Sequence, residues 1–430
     1  MTHIPGKRLP RRCAALAAAT ALVATAGLGL AGEATAATPE AAPPARAAGP
    51  AAAGPYGDRP HGFAALAGGT TGGAAGRIVT VTDQASLARY ASAPEPYVIR
   101  VAGSIAVEPF GSDIVVASDK TIVGVGDTGE IVHGELHLNP GTHNVVIRNL
   151  TIRDSYVEGD WDGKTTDFDA IQMDGADHVW IDHNRFTNMG DGLLDIRKDS
   201  QYVTVSWNRF THHNKALGIG WTSNVRTQIT IDHNWFSGTK QRNPSADNCA
   251  YAHLYNNYLS DQVADGDPVW TYGNWSRGHT KMVIENSYYD GVQHPYQADA
   301  TAELVQRGSI LRNTGGRTDE HGTAFDPHAF YDYRPDPAAA VPALVKRFSG
   351  PQQRIGTVLR VPGDHPAVRS AVDAVPDGDT ARHLTSKKSG DRHIEGDVDF
   401  VHGRASAVIE RSVIRARPAR CSSGTPSCPS

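Results

Sequence analysis

One phrase returns along the middle of this chain at near-constant spacing and limits what the chain can fold into. It reads V-W-I-D-H-N-R-F over 179–186, V-T-V-S-W-N-R-F over 203–210 and I-T-I-D-H-N-W-F over 229–236, with a fainter copy at Leu254, Asn257 and Leu259. From Ile181 to Val205, Ile231 and Leu254 the steps are 24, 26 and 23 residues. Weaker copies without an asparagine in register occur at Ile147/Leu150/Ile152 and Ile284/Ser287/Tyr289. A repeat this short cannot bury its apolar face alone. Stacked copies set Ile on Val on Ile and bring the asparagine amides into line, so each can bond to the next. β-branched and aromatic residues dominate, where a leucine-rich horseshoe would carry several spaced leucines, and this favours strands. The expected fold is all-β, a right-handed parallel β-helix.

Lys7, Arg8, Arg11 and Arg12 precede an alanine-rich apolar run and Ala34-Thr35-Ala36. This is the layout of a secretory signal peptide over residues 1–36, with a membrane anchor as the alternative and Arg11-Arg12 hinting at twin-arginine export. Residues 37–55, nearly all Ala, Pro and Gly, read as a linker. The mature protein is expected to be extracellular, free of the membrane and monomeric. A formal net charge of −5 argues against a nucleic-acid binder. Cys421 and Cys428 can close a small loop in an oxidising compartment, which leaves Cys249 as an odd, buried thiol. The glycine-rich stretch from His61 to Asp83 lacks the Lys-Ser or Lys-Thr of a phosphate loop and reads as the lead-in to the first coil.

The chemistry lies on the coils. Strand alternation through Asp191-Gly192-Leu193-Leu194-Asp195-Ile196 sends Leu194 and Ile196 to one face and Asp191, Leu193 and Asp195 to the other. One coil earlier, Asp167 and Asp169 lead into the Ala170-Ile171 strand. Any one of these acids alone reads as a solvated turn residue. Together they repel unless a cation offsets the charge, and oxygen-only ligands favour Ca²⁺. Lys215 and Arg242 fall on the next coils, so the group suits an acidic sugar chain.

These residues carry a resemblance. From about His61 to Gly350 the chain resembles the pectate lyases of polysaccharide lyase family one, through the strings GFAALAGGTTGG, DAIQMDGADHVWIDH, DGLLDIRKDSQYVTVS, HHNKALGIG, QRNP and HLYNNY. The resemblance implies a β-helix domain over 56–351 acting on polygalacturonate or pectin. It implies Asp169, Asp191 and Asp195 as calcium ligands, with Asp167 as a further one. It also implies Lys215 on a substrate carboxylate and Arg242 as the Brønsted base that takes the C5 proton in β-elimination. An arginine base needs a crowded, partly desolvated site, since a free guanidinium loses its proton only above about pH 12. Trp180, Asp182 and His183 read as structural. The family pattern R-x-P-R-x-R here reads Arg242-Asn243-Pro244-Ser245-Ala246-Asp247, an acid in place of the second arginine, and the spacing to His253 is one residue longer. Arg226, Arg277 and Lys281 are the candidates to supply the missing charge.

A second resemblance lies in the last part. HPAVRSAVDAVPDGDTARH and IEGDVDFVHGRASAVIERSVIRA resemble two pieces of a pectin methylesterase, with Asp399 at the position of that family's nucleophile. Too few residues separate them for a complete solenoid, so 352–430 is expected to be an inactive remnant with a disordered tail. Other classes stay open: a pectin-binding solenoid without catalysis, a lyase for methylated pectin, and a polygalacturonase. The last would need paired acid and base carboxylates acting on water.

Overall fold

The computed structural model describes Pro55 and residues 57–356 apart from Asp265 and Pro268, and beyond them the backbone of four short strands, Leu359–Val361, Thr380–Ala381, Leu384–Ser386 and Phe400–Val401. The expected signal sequence, the linker before Pro55, Asp399, and the Cys421 and Cys428 pair lie outside the described residues.

The repeated phrase becomes the rungs of a parallel β-solenoid of about ten turns. Ten strands, from Arg77–Val81 to Glu303–Arg307, form one sheet in which each strand pairs with its counterparts on adjoining coils. Sixteen more form a second sheet that forks at the long strand Arg209–Gly220. One branch carries the strands that follow the asparagine turn, such as Arg185–Thr187 and Trp235–Gln241. The other carries Ile171–Asp174, Gly192–Arg197, Ser245–Asp247 and Asn274–Arg277. Most coils therefore present three faces around one core.

Inside, the pattern read from the sequence holds residue by residue. Ile147, Ile181, Val205, Ile231, Leu254 and Ile284 pair in unbroken register, and all are buried. Phe186, Phe210 and Phe236 stack with ring centroids 5.2 and 4.7 Å apart. Asn184, Asn208, Asn234 and Asn257 form a buried ladder. Each side-chain oxygen after the first accepts from the backbone N–H and the amide of the asparagine one coil earlier, at 2.8–3.1 Å. Their amides also donate to Ile147, Ile181, Val205 and Ile231 carbonyls, closing the turns. The one-residue excess before His253 is absorbed as a bulge, where Thr227 pairs with Cys249 but Gln228 pairs with Tyr251. Cys249 is free and buried, and burial raises its thiol pKa to about 12.

Three segments depart from the sequence expectation. The glycine-rich stretch before Arg77 is more than a lead-in: it crosses the outside of the ten-stranded sheet. Phe63 N–H donates to Thr230, Ala64 to Thr204 and Gly73 to Thr121, so the strap spans several coils. Glycine is required where it lies flat, because a Cβ on Gly73 would collide with the Tyr97 carbonyl. A helix, Gln84–Ala91, follows the first strand, with Asp83 accepting from Ser86 N–H as its cap. It adds Leu87 and Ala91 to the core at the first coils. Finally, Gln352 to Gly356, expected to lie beyond the solenoid domain, pack against it: Gln352 exchanges hydrogen bonds with Asn149, and Ile355 is buried with Val98 and Val123.

Candidate active site

The forked branch of the second sheet sets a row of side chains on one face. Gln172, Asp195, Gly218, Ser245 and Trp275 stand in register across five coils. Asp174, Arg197 and Gly220 form the next rung, and Gly192 pairs with Lys215.

Asp169 is fully buried at the start of this row. Its Oδ1 accepts from Gly192 N–H, while Oδ2 is buried without a partner. Burial raises its pKa well above the ordinary carboxylate range, and Asp195, Glu135, Asp191 and Asp167 raise it further. Asp195 is only 1% exposed, and its Oδ1 also lacks a hydrogen-bond partner. Burial pushes its pKa up to about 7, against the pull of Arg242. Thus the outward-facing acid of the sequence alternation is covered, and Leu193, assigned to the same outer face, is buried in the core cluster. Trp221 reaches over Gly218 beside Asp195 Oδ1, and the loop over 155–168 lies against Asp191 and Lys215.

Gly192 lets the two buried acids share one space, since a Cβ there would lie 2.8 Å from Asp169 Oδ1 and 3.0 Å from Asp195 Oδ1. Asp191 pairs with Lys215, whose ammonium also donates to the Asp162 carbonyl at 2.6 Å. Gly163, at φ +55, passes directly over the Asp191 carboxylate and seals this pair. His213 Nε2 donates to the Asp191 carbonyl, 2.6 Å away, and burial lowers its pKa to about 4, which makes it a poor base.

Carboxylate oxygens of Asp167, Asp169 and Asp191 lie within 4.8 Å of one another. Asp195 sits beside this trio, turned toward Arg242 at 4.0 Å. Four acids with two buried, partnerless oxygens and no sulfur or imidazole ligand fit a hard divalent cation. The donor set is therefore compatible with Ca²⁺.

Arg242 follows the strand Trp235–Gln241 in a left-handed conformation at φ +58. Its guanidinium lies 5.4 Å from the Trp221 ring centroid, with Nη1 buried and without a hydrogen-bond partner. A cavity of about 150 Å³ opens beside it, lined by Gly218, Trp221, Ser245, Asp247 and Arg277 among others. Arg277 is thus the candidate that reaches the cavity, and it stands in register with Asp247. Trp221, Arg197 and Gln172 complete the face and were not singled out from sequence. Trp180, Asp182 and His183 lie on the ten-stranded sheet and its turn. There Asp182 accepts from Arg148, Ser206 and His183 at 2.6–2.7 Å, a buried network consistent with holding coils together.

Comparison with known proteins bears on this arrangement. The pectate lyase family profile matches residues 50–299. Pectate trisaccharide-lyases of Thermotoga sp. (strain RQ2) and Bacillus licheniformis are 35% and 30% identical over 312 and 310 residues, spanning 66% and 67% of this chain and 84% and 85% of theirs. Among solved structures, a pectate lyase from Bacillus sp. N165 in complex with trigalacturonate matches with a TM-score of 0.58 and 28% identity, over 68% of this chain and 98% of that one. Fold and kinship define a polysaccharide lyase built on a parallel β-solenoid. The chain belongs to the pectate lyase family.

Proposed function

We propose that this protein is a secreted, calcium-dependent pectate lyase that cleaves α-1,4-linked polygalacturonate by β-elimination and leaves an unsaturated uronate at the new chain end. The observation that carries this reading is the approach of Arg242, with its buried and partnerless Nη1, to the buried carboxylate of Asp195 beside Asp169. Asp167, Asp169, Asp191 and Asp195 would hold the cation. Bound there, Ca²⁺ would draw electron density from the C6 carboxylate and make the C5 proton more acidic. Lys215, now tied to Asp191, is the cation for which a substrate carboxylate competes. Arg242 takes the proton from C5, the C5–H electrons form the C4–C5 double bond, and the C4–O bond breaks. The departing oxygen takes a proton from solvent.

Calorimetric titration of chelator-treated protein with calcium tests the ligand assignment. Asp169→Asn and Asp195→Ala are expected to weaken calcium binding at least about tenfold, as loss of charged ligands does, while the circular dichroism of the coils is unchanged. Full activity in excess chelator would sink the reading. Secretion rests on the stretch 1–36, and N-terminal sequencing of protein from culture medium should find a start near residue 37. Residues 365–417 are read as an inactive methylesterase remnant, so the protein should release no methanol from pectin.

A further inference from the structure

The two ends of the cleft differ in character. Around Asp167, Asp169 and Asp191 it presents acids with Arg197 and Lys215 as counter-ions. Past Gly218 it presents indole. Trp221 is 48% exposed and reaches over Gly218, with Arg197 and Arg242 at 5.9 and 5.4 Å from its ring centroid. Trp270, 43% exposed, meets Trp275 at 5.8 Å, and Trp275 carries the Arg277 guanidinium at 4.8 Å. The cavity lies against Trp221 and Arg277, and Asp247 is part of its wall.

An acid in that wall works against a second carboxylate, because like charges at short range repel and disfavour joint ionisation. A methyl ester removes the conflict. Its carbonyl still accepts from guanidinium N–H groups, and Arg277 in that wall keeps its buried Nε without a partner. Its methyl group leaves water against an indole face, which is favourable. Resting on the pectate lyase reading, we infer that this cavity is a subsite for a methyl-esterified uronate adjoining the reacting one. Asp247 and Trp221 determine that specificity.

The test compares wild type, Asp247→Arg and Trp221→Ala on two oligogalacturonate pools, one fully de-esterified and one partially methyl-esterified. Binding is read by calorimetry and cleavage by product absorbance. Asp247→Arg should raise affinity for the de-esterified pool about five- to tenfold, and the gain should shrink at high salt. It should leave the esterified pool less favoured than in wild type. Trp221→Ala should weaken binding of the esterified pool more than the other, and Trp221→Phe should restore part of the loss. The inference is overturned if the ratio of affinities for the two pools is the same in wild type and Asp247→Arg. Failure of the lyase reading looks different: no unsaturated product forms from either pool, whereas the binding ratios still report on Asp247.

Discussion

Arg242 and Asp195 approach to 4.0 Å without a hydrogen bond, and each keeps a buried atom unpaired. Such unsatisfied groups are costly to stability and are explained if a ligand completes them. Arg242→Lys should therefore lower kcat by about 10²–10⁴-fold, the usual contribution of a positioned base, while KM changes only a few-fold. Initial rates at saturating substrate check this, and a wild-type kcat would move the base elsewhere. That Asp191, Lys215 and Arg242 lie near one another is legible in the sequence, because they follow the repeated phrase at similar offsets on successive coils. Trp221 and the burial of Asp195 are not. Both depend on the bend after Gly220, outside the repeat, which sets Trp221 over Gly218 beside Asp195.

The asparagine turn is the element that most clearly links sequence to structure, since its side chains bond both across and along the coils. Asn208→Ala leaves buried donors and acceptors on Asn184 and Ile181 unpaired. It should cost about 1–3 kcal/mol in stability, the price of unsatisfied buried groups, measured by denaturant unfolding. Phe210→Ala, which removes the middle ring of the stack, should cost about 3–5 kcal/mol. The first coils and the helix Gln84–Ala91 were not legible, because no asparagine-turn phrase marks them. The docking of the strap is not legible locally, since its threonine partners lie 48 to 167 residues away. One of its anchors titrates. Burial disfavours charge on His61, but Asp232 at 2.7 Å outweighs this and raises the His61 pKa above 6.5, and Asp232 with Asp336 does the same for His233. A raised histidine contributes stability that is present below the unfolded value of 6.5 and lost as pH rises through the folded pKa. Asp232, held low, contributes stability above 3.8 that is lost toward more acidic pH. The melting temperature should therefore decline as pH rises above 6.5, and His61→Phe should flatten that decline.

At the scale of the molecule, the C-terminal segment returns along the coils it follows. Tyr331 bonds Thr230 and His253, Asp336 bonds Asn256, Gly350 bonds Trp207, and Gln352 bonds Asn149. These contacts tie late coils to early ones, which a linear stack with neighbour-only contacts would lack. A chain ending at Gly356 should keep its melting temperature and its activity, whereas one ending before Pro327 should lose several degrees, as differential scanning calorimetry would show. The measurement that bears most directly on the central claim follows polygalacturonate degradation by ultraviolet absorbance and by reducing ends in parallel, with calcium and again with excess chelator. Elimination at this site predicts one unsaturated end for each new reducing end with calcium, and neither with chelator. Reducing ends without matching absorbance would mean hydrolysis and contradict it.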